Sequence, residues 1–415
     1  MKKILSALLV LTVAASAFAM SACNQNNSEN NTSKTSSESS SKESSTKASE
    51  EKPPEVSVDS SKPKITESQL AEINKKIADN QGVPEFTCKS ETINAKELAK
   101  NKTLTFVTKN DSNSYCSLLK STFKNAAKSA GFKSISFPET DGSASKLSDG
   151  ILSAVTENTD LVMLAGNINK DIISASIENA QANGIEVFSA GSKGVNENDH
   201  YVDYTVPVNY QLIGELMADW GIVKSNGKIN ALAVNCTDST LSNTIFNGFK
   251  KEFENYVSSS SGYCTTLNVT SIEIGNGLAN KIKKAVNDDS NINYVFVFDD
   301  DAIADAVSVA SQLNGKVKVV ATGGTTEAFD AAKKGTVEMM VAQSYEWNAY
   351  AMVDYALRAL GGKKLPEIQD VPVRVVTKES IAKAIEDYKG PSYDDFYEIC
   401  FGSAFVSGYS TLWNL

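Results

Sequence analysis

From Thr103 onward, short apolar stretches alternate with longer amphipathic segments, and this alternation constrains the fold more than any other feature of the chain. The runs TLTFVT (103–108) and DLVMLAG (160–166) have the length and apolar content of buried strands. The segments between such runs carry apolar residues at helical spacing. Strands that alternate with helices in this way predict an α/β fold, in which helices cover a parallel sheet.

The alternation occurs twice in tandem, which predicts two similar lobes. After a helix that ends near Lys224, a second series of strand-like runs begins. It comprises KINALAV (228–234), NVTSIEI (268–274), YVFVF (294–298) and VEMMVA (337–342).

Two later segments are too short to form a third domain. They are a helix-like stretch at 345–360 and a strand-like run, VPVRVV, at 371–376. We therefore predict that the chain crosses between the lobes three times, near 206–208, 343–344 and 366–371. The predicted N-terminal lobe is 103–206 plus 344–368, and the predicted C-terminal lobe with its tail is 207–343 plus 369–415.

The N-terminus predicts export and membrane anchoring. Two lysines precede an apolar stretch, Ile4 to Ala19, which is short for a membrane span and typical of a secretory signal. The tetrapeptide MSAC (20–23) resembles a bacterial lipobox, which implies cleavage before Cys23 and lipidation of that residue. In the alternative, a plain signal peptide is cut after an Ala and Cys23 is incidental. We predict a signal peptide over 1–22, a disordered Ser-rich tether over 23–65 and an N-terminal extension over 66–102. The protein is then extracytoplasmic and lipid-anchored to the cell membrane.

Charge and cysteine content exclude several classes of partner. The chain has 40 basic and 50 acidic residues, and this net charge of −10 argues against nucleic acid as a partner. No cysteine spacing is typical of a zinc site, so we predict no metal and no cofactor. Apart from Cys23 there are five cysteines, and Cys88 and Cys400 flank the folded region as candidates for a disulfide.

The order and spacing of the runs resemble type I periplasmic solute-binding proteins, above all the ribose- and galactose-type sugar-binding subunits of ABC importers. The resemblance is carried by LTFVTKNDSNSYCSLLKSTFKNAAKSAG (104–131), YVFVFDDDAIADAV (294–307) and VAQSYEWNAYAMVDYALRALGGKKLP (341–366), among other segments. It implies two Rossmann-like lobes with parallel sheets flanked by helices, joined by a three-crossover hinge. It also implies an ABC permease as membrane partner and a small solute, such as a sugar, polyol or nucleoside-like molecule, as ligand. We expect a monomer.

Ligands of open parallel sheets bind beyond the carboxyl ends of the strands, so the residues that follow each strand are the candidates. Asn113 and Tyr115 match an asparagine and an aromatic residue of the ribose-type proteins, and can bond hydroxyl groups and stack on a ring. In the alternative, Asn113 only begins a turn and Tyr115 packs in the core. Gln343 matches a glutamine that contacts ligand from the hinge, although it could equally be a backbone-bonded loop residue. Tyr345 and Trp347 follow it, either as a cleft wall or as helix-packing aromatics.

The triplet DDD at 299–301 lies between a buried strand and a helix. Asp299 matches a ligand-binding position of the family, and we predict that its carboxylate binds a hydroxyl or amine group of the ligand. Asp300 or Asp301 is predicted to cap the following helix, where a carboxylate is favoured by the helix dipole. The alternative is that all three serve only as capping and solvated charge.

The chain also departs from the ribose-type pattern. An Asp-Arg pair of those proteins is Gly191-Ser192 here, an arginine is Asn243, and an aspartate is Gly323. These losses argue against an ordinary pentose or hexose, because Arg and Asp supply the charge-assisted hydrogen bonds that hold such sugars. The predicted ligand-binding set is Asn113, Tyr115, Asn243, Asp299, Thr322 and Gln343.

Two other functions compete with transport. An enzyme is disfavoured because His200 is the only histidine and no nucleophile is recognisable beside it. The Gly-rich TGGTTEAF (322–329) lacks the lysine of a phosphate-binding loop and is typical of a strand-to-helix turn. A sensor that delivers its signal to a membrane receptor kinase remains the alternative function.

Overall fold

The computed structural model describes residues 55–62, 64–191, 199–366, 371–388 and 396–415. The predicted signal peptide, Cys23, most of the predicted tether and Ser192 lie outside these residues. Fourteen α-helices occur in the described part of the chain: α1 Glu67–Asp79, α2 Ala95–Leu98, α3 Ser114–Ala130, α4 Ala144–Glu157, α5 Ser174–Ala182, α6 Tyr210–Lys224, α7 Thr240–Tyr256, α8 Leu278–Asp288, α9 Ile303–Gln312, α10 Thr326–Lys334, α11 Tyr345–Leu360, α12 Lys378–Asp387, α13 Phe396–Phe401 and α14 Ala404–Leu412.

The first lobe is built on a five-stranded parallel sheet. Its order is β2-β1-β3-β4-β5, with β1 Thr103–Thr108, β2 Ser134–Ser136, β3 Leu161–Ala165, β4 Glu186–Ala190 and β5 Tyr204–Thr205. Helices α3 and α11 pack on one face around Phe106 and Phe123, and α4 and α5 pack on the other around Ile151 and Ile177. The three central strands are buried on both faces, which explains their continuous apolar runs.

The second lobe repeats this arrangement on a six-stranded sheet. Its order is β11-β10-β9-β8-β6-β7, with β6 Asn230–Cys236, β7 Tyr263–Val269, β8 Tyr294–Val297, β9 Lys318–Gly323, β10 Met339–Gln343 and β11 Val373–Val376. Helices α6 and α7 cover one face, and α8, α9, α10 and α12 cover the other. Every pairing is parallel except that of β11 with β10. The predicted α/β class with two lobes is therefore confirmed.

One predicted strand was wrong. NVTSIEI (268–274) was expected as a strand, whereas the strand β7 ends at Val269 and turns follow it. Because β7 is the edge strand of its sheet, most of its residues are only partly buried, and Thr265 is exposed. An edge strand does not need the apolar run on which the prediction relied.

The chain passes between the lobes three times. It leaves the first sheet after β5 and enters α6 of the second lobe, returns at Ser344 between β10 and α11, and leaves again between α11 and β11. Three connections of this kind form a hinge about which the lobes can close.

The N-terminal extension adds a further link between the lobes. Ile73 and Ile77 of α1 are buried against the second lobe, whereas Ile93 and Ala95 are buried against the first. Between them, the backbone oxygen of Gln81 accepts a hydrogen bond of 2.8 Å from Arg374 Nε. The end of the predicted tether is also in contact with the protein, because Val56 and Ile65 pack against the second lobe.

The C-terminal tail was predicted to belong to the second lobe, and the structure divides it. Phe401 is buried in the second lobe, but Phe405 and Tyr409 of α14 are buried in the first. The same division rules out the candidate disulfide. Cys400 is buried in the second core and Cys88 packs against the first, and both thiols are free.

Candidate ligand-binding site

A cavity of about 230 Å³ lies between the two lobes, at the carboxyl ends of the strands of both sheets. This placement follows from the fold, because parallel strands direct their carboxyl ends to the same edge. Both lobes contribute to its lining. The first lobe contributes Lys109, Asn113, Tyr115, Asn167 and Tyr345, and the second contributes Ser239, Leu241, Asp299, Thr322 and Gln343, among others.

Five of the six predicted residues line this cavity, and Asn243 does not. The Asn243 side chain, in the first turn of α7, bonds the end of β6 and the turn that follows it. Its oxygen accepts a hydrogen bond of 3.0 Å from Asn235 Nδ2, and its nitrogen donates to the Thr237 oxygen at 2.9 Å. The structure thus assigns Asn243 to holding the turn between β6 and α7, beside the cavity lining contributed by Ser239 and Leu241.

Asn113 and Tyr115 lie where β1 leads into α3. The Asn113 oxygen accepts a hydrogen bond from the Cys116 N–H at 3.3 Å and caps α3, which leaves the Asn113 amide N–H groups without a partner among the described residues. The Tyr115 ring lies 4.2 Å from the Tyr345 ring, and burial raises the pKa of the Tyr115 hydroxyl well above its ordinary value. Gly191 leaves room for this hydroxyl, since a Cβ there would lie 3.0 Å from it.

The roles of the three aspartates at 299–301 differ from those predicted. Asp299, not Asp300 or Asp301, is the capping residue: its Oδ1 accepts a hydrogen bond of 3.1 Å from the Asp301 N–H, at the start of a 3-10 turn over Asp300–Ala302. The chain turns directly after the strand, so the first aspartate occupies the extended cap position. Asp301 is exposed at the edge of the cavity.

Asp300 is held by bonds within the protein. Its Oδ2 accepts hydrogen bonds from the N–H groups of Gly324 and Thr325 at 3.0 and 3.2 Å, and from the Tyr345 hydroxyl at 3.1 Å. Gly323 makes this possible, because a Cβ at that position would lie 2.4 Å from Asp300 Oδ1. The glycine that replaces a family aspartate therefore makes room for a carboxylate from the neighbouring strand.

Two carboxyls of the cavity are difficult to ionise. Burial, together with the nearby charge of Asp301, raises the pKa of Asp299 to about 6, and the Asp301 N–H and Lys109 oppose this shift. Burial raises the pKa of Asp300 to about 7 against the hydrogen bond from Gly324. Lys109 was not among the predicted site residues, although it directly follows β1, where cavity residues are expected.

Gln343 is oriented by Thr322 beneath it. Its Nε2 donates to Thr322 Oγ1 at 3.1 Å, and the Thr322 hydroxyl donates to the Val341 oxygen at 3.0 Å. Gln343 is only 8% exposed, and its Oε1 makes no bond with the described residues. The Thr322 hydroxyl gives its only proton to the Val341 oxygen and accepts from Gln343, so Thr322 orients the Gln343 side chain.

The lobes touch across the mouth of the cavity. Asn167 Nδ2 donates to Ser239 Oγ at 2.7 Å, and the Leu241 N–H donates to Asn167 Oδ1 at 3.3 Å. Asn167 follows β3 with a positive φ of 59°. That position after a strand was the available signal, but which side chain reaches the other lobe depends on how the lobes close.

Two of the residues considered in the sequence, His200 and Trp347, lie outside the cavity lining. His200 is exposed and packs on Tyr201, away from the cavity lining. Trp347 is buried in the first core, so only Tyr345 of the two predicted aromatics faces the cavity. Among the described residues, no cluster of His, Cys, Asp and Glu has the arrangement of a metal site, and no helix has the length and apolarity to span a membrane.

Known structures share this two-lobed fold. The glucose-galactose binding protein GanP from Geobacillus stearothermophilus is 15% identical over 68% of this chain and 98% of its own, with a TM-score of 0.58. An ABC transporter solute binding protein from Agrobacterium vitis, solved with bound allitol, is 14% identical over 70% of this chain and 100% of its own, with a TM-score of 0.59. A chain of the XylFII-LytSN complex is 17% identical over 68% of this chain and 99% of its own, with a TM-score of 0.56. At these identities the likeness concerns the fold.

The sequence itself carries the family assignment. No curated protein matches it closely. Residues 104–364, well over half of the chain, match the family model described as the periplasmic binding protein domain. Together with the fold, this match confirms the resemblance to type I periplasmic solute-binding proteins, and the chain belongs to the periplasmic binding protein domain family.

Proposed function

We propose that the protein is the solute-binding component of an ABC importer, located outside the cytoplasm and anchored to the cell membrane through a lipid on Cys23. It captures a small polar solute between its lobes by hinge closure and passes it to a membrane permease as a monomer. The observation that carries this proposal is the cavity of about 230 Å³, into which both lobes place polar side chains. The cleft performs no catalysis in this proposal.

The size and polarity of the cavity support a sugar-sized solute. Most pockets for drug-sized ligands are larger, roughly 300–1,000 Å³, so a molecule of monosaccharide size is the better match. In our proposal Asn113 and Gln343 bond ligand hydroxyl groups, Tyr115 stacks on the ring, and Asp299 accepts from a donor of the ligand. Thr322 acts through Gln343. Two of the solved structures of similar fold, GanP, named as a glucose-galactose binding protein, and the Agrobacterium vitis protein with bound allitol, support the same class.

Binding is tested by a thermal-shift screen of sugars, polyols, nucleosides and amines, followed by titration calorimetry on each hit. A ligand present at 100 times its Kd should stabilise the protein by about 2.7 kcal/mol. D-ribose and D-glucose should give little shift, because the Asp and Arg partners of the ribose-type proteins are absent. If no small polar solute in the screen shifts the melting temperature, the proposal fails.

Closure can be measured independently. Asn167→Ala removes both hydrogen bonds that Asn167 makes across the cleft. We expect a larger radius of gyration in small-angle scattering for this variant without ligand, and weaker binding of any hit. An unchanged radius and an unchanged Kd would show that these bonds do not hold the closed form.

The anchor is tested by labelling cells with a radiolabelled fatty acid. Wild type should incorporate label and Cys23→Ala should not, since two or three acyl chains on Cys23 would hold the protein firmly at the membrane. Equal incorporation by both would place the lipid elsewhere or rule it out.

A sensor that signals to a membrane receptor kinase is the second candidate. It is favoured by the occurrence of this fold in the XylFII-LytSN complex, a protein assembly named without a permease. Crosslinking of the liganded protein in its own cells separates the two functions. Capture of a permease supports import, whereas capture of a receptor kinase alone would replace our first proposal.

A further inference from the structure

We propose that the cleft selects a solute of monosaccharide size that carries a protonated amine, with the ammonium group bonded to Asp299. This inference rests on the proposed function, because it names the ligand class of the same cavity. Three observations carry it: the charge balance of the lining, the unused hydrogen-bond capacity of two acceptors, and the different polarity of the two walls.

The cavity has an excess of acidic groups. Asp299, Asp300 and Asp301 line it, and Lys109 is the basic residue of the described lining. When the lobes close, water that would screen these charges is excluded, so each uncompensated charge becomes more costly. Burial is the main cause of the raised pKa values of Asp299 and Asp300, and the charges of neighbouring aspartates add to it. A neutral sugar leaves the excess in place, whereas a cationic ligand reduces it.

Two acceptors in the cavity lack donors. Asp299 uses one oxygen on the Asp301 N–H, and its other oxygen makes no bond with the described residues. Gln343 uses its N–H₂ group on Thr322, while its Oε1 has no donor in the described part of the chain. Carboxylate and amide oxygens can only accept, so the ligand must supply donors here. An ammonium group offers three donors and a hydroxyl only one. Asp300 is the poorer partner, because three hydrogen bonds within the protein already converge on its Oδ2 and its Oδ1 lies against Gly323.

The opposite wall has the reverse polarity. The first lobe contributes donors, the Lys109 ammonium and the Asn113 amide, beside the ring of Tyr115. This wall suits the oxygens and ring of a polyol, and it disfavours a second cation near Lys109. A polyamine is therefore a poorer match than an amino sugar, which combines one ammonium group with a ring of hydroxyls.

Matched pairs of sugars test the inference by titration calorimetry at about pH 7, where an amine of this kind is mostly protonated. The pairs are glucosamine with glucose, galactosamine with galactose, and mannosamine with mannose. In at least one pair the amino sugar should bind about tenfold more tightly, the size expected of one charge-assisted hydrogen bond. N-acetylation of that amino sugar, which removes the charge, should abolish the preference, and so should a rise in pH that deprotonates the amine.

Two variants assign the effect to its residues. Asp299→Asn keeps an oxygen for the Asp301 N–H but loses the charge, so both members of the pair should bind within about threefold of each other. Lys109→Met should act in the opposite direction and increase the preference, because it removes a like charge from the cavity. Asp288→Asn is the matched control: it removes the same charge from an exposed side chain outside the cavity lining, so the preference should be unchanged.

The outcomes separate this inference from the proposed function. If in all three pairs the neutral sugar binds as tightly as its amino partner, or if a free amino acid outcompetes every sugar, the amino-sugar inference is overturned while solute binding stands. A preference that persists in Asp299→Asn, in a variant that melts like wild type, also overturns it. If nothing in the panel or the wider screen binds, both fail.

Discussion

Replacement of Asp354 by alanine should unfold the first lobe far more easily, although Asp354 lies outside the cavity lining. Asp354 and Arg358 lie one helical turn apart on α11, and both side chains are fully buried. Asp354 Oδ2 accepts a hydrogen bond of 2.8 Å from Arg358 Nε, and its Oδ1 accepts one of 3.0 Å from Trp413 Nε1 in the tail. Arg358 in turn donates to the Glu91 oxygen of the extension at 2.9 Å. One carboxylate therefore compensates a buried cation and connects both terminal segments to the lobe.

The magnitude follows from the two hydrogen bonds that Asp354→Ala removes. A hydrogen bond to a charged group contributes about 1.5–3 kcal/mol, and the Trp413 N–H left without an acceptor costs about 1–3 kcal/mol. Removal of one partner from a buried ion pair typically costs about 3–5 kcal/mol, because the remaining charge stays buried and unpaired. We expect the free energy of unfolding to fall by about 3–5 kcal/mol.

Urea unfolding followed by tryptophan fluorescence measures this change, since Trp347 and Trp413 both lie in the first core. Asp387→Ala is the matched control. Asp387 pairs with Lys383 at the same helical spacing and the same distance, 2.8 Å, but both side chains are more than half exposed. Its loss should change the free energy of unfolding by less than about 0.5 kcal/mol. If Asp354→Ala costs less than about 1 kcal/mol, the buried cluster does not stabilise the lobe as argued.

Three further results are expected. Gly214→Ala should destabilise the protein by about 1–3 kcal/mol in urea unfolding despite the better helix propensity of alanine, because the new Cβ would lie 1.9 Å from the Ile245 oxygen. The control is Gly82→Ala, which should show little change because the space around Gly82 is open. The stability of wild type relative to Asp300→Asn should fall as pH rises from about 4 to about 7. The pKa of Asp300 is raised from 3.8 to about 7, so the folded state holds this proton more tightly than the unfolded state and ionisation weakens folding. Parallel urea titrations measure the difference in stability, and a flat or rising difference would contradict the burial of Asp300. Dialysis against EDTA should leave the melting temperature unchanged, and a drop of several degrees would reveal a structural metal.

The sequence predicted the cavity in outline because strand ends are visible in the chain. Asn113, Tyr115, Asp299 and Gln343 were predicted because they lie at or after the ends of apolar runs and match family positions there. Together with Thr322, they all line the cavity. The hydrogen-bond partners of the side chains could not be predicted in the same way. Whether an asparagine faces a ligand or bonds its own loop depends on atoms brought close by folding.

The prediction therefore failed where local and tertiary partners compete. Asn243 was expected in the cavity but bonds Asn235 and the Thr237 backbone, and the cap expected of Asp300 or Asp301 is made by Asp299. Lys109 and Asn167 were missed because their roles arise only when a second lobe faces them.

Hydrophobic periodicity alone determined the α/β class and the two lobes, since a parallel sheet buried on both faces requires continuous apolar strands and one-sided helices. Only the tertiary structure decided where the chain ends belong. The prediction placed the whole tail in the second lobe and the extension in neither, yet Ile93 and Tyr409 are buried in the first core while Ile73 and Phe401 are buried in the second. The spacing of apolar residues indicates that one face of a helix packs on another surface. Which surface it covers is decided by the shape and burial of residues far away in the sequence, and this information no local pattern contains.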